Sequence, residues 1–587
     1  MHSTGWPKER RSGTSSCAPG PAGPGSITGL SIPNLLPSPG TDMNLDDVAR
    51  CEIHPTIGIA RVGNSPDGFF IGPETPGAPA SPPGGFKDAD GRIKRQAARF
   101  RVYAYDRAGT VLGELTSAEA QIVWTAELAN AKGEWFKFAG RFHESTADSN
   151  RRNQHMDPAD PAARARLVIR PGPRSVTGPS QDGTDARFDT GTFLGTPVPL
   201  GELRTDEAGR LLVLGGFGTS ASVQPANPLR HYANNDGWYD DVSDGPLSAT
   251  VRLGPDGRQV PVTPAWCVVG PPDHAPAVPS LVTLYDVALE VARASGGLPT
   301  PQEVSFTRDI YPLLARPVMF AWVNKRARAR HGDPRRNFLT PSRLARLSSN
   351  EPDNATARQI VFERLRKPGL VDDTSQANEG FMPVLSGDDG DAQRNKPRTW
   401  LTLLPDQYAR VQRWADGDFL ADWTGVPAPL PFEALAPADQ PHALVRAALE
   451  TASGGGFFPG IEMTYIADRQ STWAAPFRLR EDLVAGDVTK YMALPWQADF
   501  YMCRDHWWPA SRPDEVLPEP AHDGLVQDAA AGAFQEWDRG VGDGENAEKG
   551  MNEMVEKWST LGFIVARTVP NGDVILVETE RTDHETG

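Results

Sequence analysis

The segment Pro495-Trp496-Gln497-Ala498-Asp499-Phe500-Tyr501-Met502-Cys503-Arg504-Asp505-His506-Trp507-Trp508-Pro509 sets a carboxylate and a thiol four positions apart among aromatic residues. Proline suits the first turn of a helix and disrupts later ones, so Pro495 and Pro509 bracket a predicted helix of about three turns. On such a helix Asp499 and Cys503 share a face. A carboxylate beside a thiol can take its proton, and the thiolate is the nucleophile. The plainer reading is a surface aspartate and an inert buried cysteine, since free cysteine is among the most buried residue types. Arg504 and His506 flank the thiol and are candidates for holding a substrate carboxylate by charge-assisted hydrogen bonds. Otherwise they are ordinary partners of nearby acids.

Other chemistry-bearing patterns are weaker. Gly454-Gly455-Gly456 permits close backbone approach, yet no Lys-Ser or Lys-Thr follows, so it is not a nucleotide cradle. Asp388-Asp389-Gly390-Asp391 lacks the spaced carboxylates and terminal Glu of an EF-hand. His143 and His155, with Glu144 and Asp148, fit no tight metal site, and no metal is expected. The four cysteines, Cys17, Cys51, Cys267 and Cys503, give neither a zinc pattern nor a disulfide framework.

The elements that must position these groups read as an α+β fold. From Glu52 to about Val262, short apolar runs at 99–105, 167–169, 210–214 and 249–253, separated by Gly, Pro, Asp and Asn, predict strands of an antiparallel sheet. From Leu281 the apolar spacing turns helical, at 281–294, 305–327, 353–366, 405–416 and 441–452. Met554, Val555, Trp558 and Leu561 recur at helical spacing, which predicts a buried indole, with Gly562 as a C-cap before a strand at 563–565. The organisation is then a disordered extension (1–42), an antiparallel β-rich region (43–280), a mainly helical middle (281–452) and a mixed C-terminal catalytic region (453–587). The extension is rich in Gly, Pro and Ser without an apolar core segment, so it is no secretory signal; Met43 is a candidate start, and the protein is expected to be cytoplasmic as synthesised. No run of about 18 apolar residues predicts a transmembrane helix. A formal net charge of −16 argues against nucleic acid or an anionic membrane and suits cationic or zwitterionic small molecules.

Several ordered blocks carry a wider resemblance. They are Ile53-His54-Pro55-Thr56-Ile57-Gly58-Ile59-Ala60-Arg61-Val62-Gly63-Asn64-Ser65, then Leu401-Thr402-Leu403-Leu404-Pro405-Asp406-Gln407-Tyr408 leading to Trp414-Ala415-Asp416-Gly417-Asp418-Phe419. Next come Gly454-Gly455-Gly456-Phe457-Phe458-Pro459-Gly460-Ile461-Glu462 and Leu494 to Asp499 with Cys503. Trp507-Trp508-Pro509, Arg512-Pro513-Asp514 and Val555-Glu556-Lys557-Trp558-Ser559-Thr560-Leu561-Gly562-Phe563 complete the set. Together they resemble the family of L-lysine epsilon-oxidase and glycine oxidase, whose members carry a cysteine tryptophylquinone made from their own side chains.

The resemblance implies that Cys503 and Trp558 are cross-linked into that cofactor and that Asp499 serves its formation. Phe457 and Phe458 would then line the substrate channel, or simply fill a core. An indole oxidised to an ortho-quinone presents a carbonyl that condenses with a primary amine as a Schiff base, an electron sink no ordinary side chain provides. The implied reaction is oxidative deamination of an amino acid, with O2 reduced to H2O2 and ammonia released. A glycine-like α-amino acid is slightly preferred as substrate and the lysine ε-amine comes next. A flavin-dependent maturation protein and a homodimer or homotetramer are implied as well. The rivals are a quinone amine dehydrogenase with another electron acceptor and a non-enzymatic binding protein on the same scaffold.

Overall fold

The computed structural model describes residues 43–138, 150–223, 227–332, 337–387, 390–455, 462–502, 510–519, 532–542, 546–569 and 574–582. Residues Asn44–Gly587 form one unit. Its centre is a 13-stranded sheet whose main path runs Glu202–Thr205, Leu211–Leu214, Arg95–Tyr105, Ile57–Arg61, Ala265–Gly270, Ser243–Leu253, Ala120–Ala126 and Arg174–Thr177. Most pairings are antiparallel, as expected. Ala265–Gly270 runs parallel to Ile57–Arg61, and two short pairings, Arg50–His54 with Val262–Thr263 and Phe69–Ile71 with Arg95–Tyr105, are parallel too. The two mid-sheet strands Ile57–Arg61 and Ala265–Gly270 are buried at every residue, the pattern of strands covered on both faces. The cover on one face is helical: Val282, Leu284, Val287, Val445 and Leu449 close over Ile57, Ile59, Trp266 and Val268.

Two predicted elements differ from their sequence reading. Residues 167–169 form no strand; Ile169 makes only an isolated bridge to Asn130. The single helix predicted over 305–327 is a π-helical turn, Phe306–Ile310, running into a helix, Tyr311–Phe320, and then a separate helix, Lys325–His331. Asn324 causes the second break, because its side chain accepts from the backbone N–H of Ala327 and caps a new helix. Helix Pro405–Asp416 matches its prediction and ends on Gly417 in the left-handed region. It builds a second core in which Trp414 meets Phe306, Ile310, Val411 and Phe419. Among the described residues no helix is long and apolar enough to cross a membrane.

Candidate active site

The predicted helix after Pro495 is present as Trp496–Met502, buried from Trp496 to Tyr501. Its amino end is held by one carboxylate. Asp240 Oδ2 accepts from Lys132 Nζ at 2.7 Å and from the backbone N–H of Trp496 at 3.1 Å, while Asp240 Oδ1 accepts from Asn130 Nδ2 at 2.8 Å. Lys132 Nζ also donates to Ala493 O at 2.8 Å. A negative charge at a helix amino end is favoured by the helix dipole, and the fully buried lysine neutralises it. Farther along, Arg512 pairs with Asp538 at 2.9 Å and donates to Phe500 O.

Trp558 lies against this helix. It follows the helix Ala547–Lys557 and opens a 3-10 turn, Trp558–Thr560. Its ring is 5 % exposed and meets Trp496 edge to face, with centroids 5.4 Å apart and planes at 73°. The two helices approach closely because Gly550 has no side chain: a Cβ there would fall 1.8 Å from Tyr501 Cζ. Gly562 is not the C-cap expected of it. It is a close-approach glycine whose Cβ would meet Glu578 Cγ at 2.4 Å, and its carbonyl accepts from Trp537 Nε1 at 3.1 Å and binds His274 Nδ1 at 3.2 Å. Burial pushes His274 down to about 3, so a neutral ring with Nδ1 protonated serves as the donor.

The benzo edge of Trp558 faces the loop between strands Leu211–Leu214 and Ser220–Ser222. Gly218 has φ +74, and a Cβ on it would lie 2.1 Å from Trp558 Cζ2 and 2.6 Å from Cη2. Gln497 Nε2 donates to Gly218 O at 3.1 Å, and Ser220 Oγ donates to Gln497 Oε1 at 2.7 Å, tying the loop to the Trp496 helix. Asp241 ties it to the sheet side: its Oδ2 accepts from the N–H groups of Phe217 at 2.6 Å and Thr219 at 3.0 Å. Burial pushes Asp241 up to about 7. Buried polar atoms around this site that have no partner include Asp241 Oδ1, Trp496 Nε1 and His274 Nε2.

Asp499 is 2 % exposed on the Trp496 helix. Cys503, Arg504, His506, Phe457 and Phe458 lie outside the described residues. Two of the quoted sequence blocks do meet: Arg61 Nη2 stands 3.0 Å from Glu462 Oε1, a charge contact without the alignment of a hydrogen bond, and also donates to Thr451 O at 2.8 Å. Burial pushes Glu462 up to about 7 and raises neighbouring Asp273. Among the described residues no group of three His, Cys, Asp or Glu is placed to hold a metal ion. Sequence reading missed Gly218, Asp240, Asp241, Lys132 and Gln497. The Gly215-Gly216-Phe217-Gly218 run and the Asp240-Asp241 doublet were the available signals.

These residues fit a cofactor made from Trp558. The Cζ2–Cη2 edge of a buried indole packs directly against a glycine, at the two adjacent benzo carbons an ortho-dione would use, and an unpartnered N–H lies in the ring against it. The Trp496 helix with Asp499 leads directly into the cysteine in sequence.

The chain matches the family models described as L-Lysine epsilon oxidase N-terminal, over residues 54–269, and L-lysine epsilon oxidase C-terminal domain, over residues 383–519. It is 26 % identical to L-lysine 6-oxidase of Marinomonas mediterranea, over 91 % of this chain and 89 % of the relative. The crystal structure of the L-Lys epsilon-oxidase from the same organism superposes with a TM-score of 0.69 at 24 % identity, over 90 % of this chain and 94 % of that one. The structure of its Schiff base intermediate with L-Lys gives 0.70 at 23 %, over 90 % and 95 %. These likenesses establish the fold.

Proposed function

The chain belongs to the L-lysine epsilon oxidase family, and from that premise we propose that it is a quinoprotein oxidase acting on the primary amine of an amino acid. The balanced reaction converts R–CH2–NH2, O2 and H2O into R–CHO, NH3 and H2O2; for an α-amino acid the carbonyl product is an oxo acid. Cys503 and Trp558 form the cysteine tryptophylquinone, which supplies an electrophilic carbonyl and a two-electron store. The observation that carries this reading is the seating of Trp558: buried, edge to face on the helix that bears Asp499, with its Cζ2–Cη2 edge in a side-chain-free cradle.

The chain's own residues have distinct tasks. Asp499, four positions before Cys503 in the sequence, would take the thiol proton and hold the sulfur as the thiolate. Trp496 and Phe500 exclude water from the ring and fix its tilt. Asp240 and Lys132 fix the start of the helix that carries Asp499, which matters because misplacement by about 1 Å can cost about 100-fold in rate. Arg504 and His506 are assigned to the substrate carboxylate, and Phe457 and Phe458 to the channel. A flavin-dependent protein helps convert Trp558 during maturation, and the mature enzyme is a homodimer or homotetramer.

The test uses protein matured in its own host, with glycine, L-lysine and other primary amines, following O2 uptake, peroxide and ammonia together. Nothing in the sequence fixes which is used: glycine is slightly preferred, and L-lysine is the substrate in the relative's name. Stoichiometric peroxide and ammonia from one of them supports the oxidase. Amine-dependent reduction of an added electron-transfer protein without O2 uptake would make it a dehydrogenase. Amine binding without turnover would leave a binding protein.

A further inference from the structure

Resting on the reading above, we propose that Gly218 is a positioning residue for the cofactor: its missing side chain is what lets the Cζ2–Cη2 edge of Trp558 seat and be oxidised there, with Asp241 and Gln497 holding the glycine in register.

Three observations converge. A Cβ at residue 218 would lie 2.1 Å from Cζ2, 2.6 Å from Cη2 and 3.0 Å from Cε2 of Trp558. Real Cβ atoms essentially never approach below 3.0 Å, and a ring clamped between Trp496 and Gly218 has no flexible end to swing away. The glycine is also pinned from both sides. Gln497 Nε2 holds its carbonyl, and the N–H groups on either side of it, those of Phe217 and Thr219, converge on Asp241 Oδ2. Gly216 shares this design, since a Cβ there would meet Asp241 Oδ2 at 2.4 Å. A loop fixed this firmly cannot retreat to admit a larger residue. Ring oxygenation would add atoms at this same edge, where a Cβ on residue 218 already overlaps the unmodified indole.

Gly218 has φ +74 and Gly296 has φ +75, but nothing lies within 4 Å of a Cβ at Gly296. Gly218→Ala and Gly296→Ala therefore carry the same backbone strain and differ in contact. Both variants and the wild type are matured in the native host and digested, and the fraction of cross-linked Cys503–Trp558 peptide bearing two added oxygens is read by mass spectrometry, with the visible absorbance of the intact protein. The expected result is at least about a tenfold fall in that fraction for Gly218→Ala, the scale of overpacking a tight interior, and a wild-type fraction for Gly296→Ala. A wild-type fraction in Gly218→Ala overturns the inference and leaves the proposed function standing. An unmodified wild type overturns the proposed function and the inference with it.

If Gly218→Ala folds but accumulates too little for the peptide analysis, a thermal-melting cycle with Trp558→Phe replaces it. With the larger ring removed, Gly218→Ala should lower the melting temperature no more than Gly296→Ala does. An equally deep loss in both backgrounds would show that the glycine serves the loop and not the ring, and would overturn the inference.

Discussion

Two tryptophans, Trp414 and Trp558, are buried in different ways, and the contrast sets a residue that holds the fold against the one proposed to carry the chemistry. Trp414 is fully enclosed by Phe306, Ile310, Val411 and Phe419, and its Nε1 donates to Leu347 O at 2.8 Å. Trp558 packs on Trp496 and Gly218, whose elements are held by buried polar clamps: Lys132–Asp240, Asp241, Gln497 and Arg512–Asp538. Its neighbours include a buried donor and a buried acceptor without partners, each an expense of about 1–3 kcal/mol that a purely structural core would avoid. Apolar packing stabilises; buried polar clamps fix orientation at a cost in stability.

The largest expected effects break the two regions separately. Trp414→Ala should cost about 3–5 kcal/mol in denaturant unfolding and leave the oxidation state of Trp558 in the surviving folded protein unchanged. Lys132→Met strands the Asp240 charge in the interior and should cost about 3–5 kcal/mol as well. Unlike the first variant, it should also lower the oxidised fraction of Trp558, because the start of the Trp496 helix loses its anchor. Equal oxidation in both variants would erase the distinction.

A pH titration sharpens the contrast at intermediate scale. Asp241 is raised from 3.8 to about 7 by burial, so the folded state holds its proton more tightly than the unfolded chain does. Its stabilising contribution is full below 3.8 and is lost as pH rises to about 7. Wild type should therefore lose stability relative to Asp241→Asn across that window. Glu462, also raised to about 7, adds the same slope to both proteins and cancels in the difference. Identical melting-temperature profiles would mean that Asp241 is not buried as described. The smallest effect belongs to the surface: Lys549→Ala, which removes an exposed partner of Glu553, should change stability by at most about 1 kcal/mol and oxidation not at all.

Local pattern carried the parts of this site that are local. Pro495 marked the start of a helix, helical spacing marked Trp558 as buried, and the apolar period over 405–416 gave the helix that holds Trp414. What failed to register is long-range. Lys132 meets Asp240 across 108 residues and Gln497 meets Gly218 across 279, distances at which periodicity says nothing. Gly562 shows the same limit from the other side. A glycine after a helical run reads as a cap, but its purpose is set by the strand Val574–Thr579, which leaves no room for a Cβ. Gly218 offered only the local Gly215-Gly216-Phe217-Gly218 run, which says nothing of the ring it accommodates, because that ring arrives from the far end of the chain.

The most direct test of the account is peptide mass spectrometry of protein purified from its native host. The account predicts one cross-linked species joining the peptides of Cys503 and Trp558, with two oxygens added on the tryptophan side. Two separate, unmodified peptides from native material would contradict it.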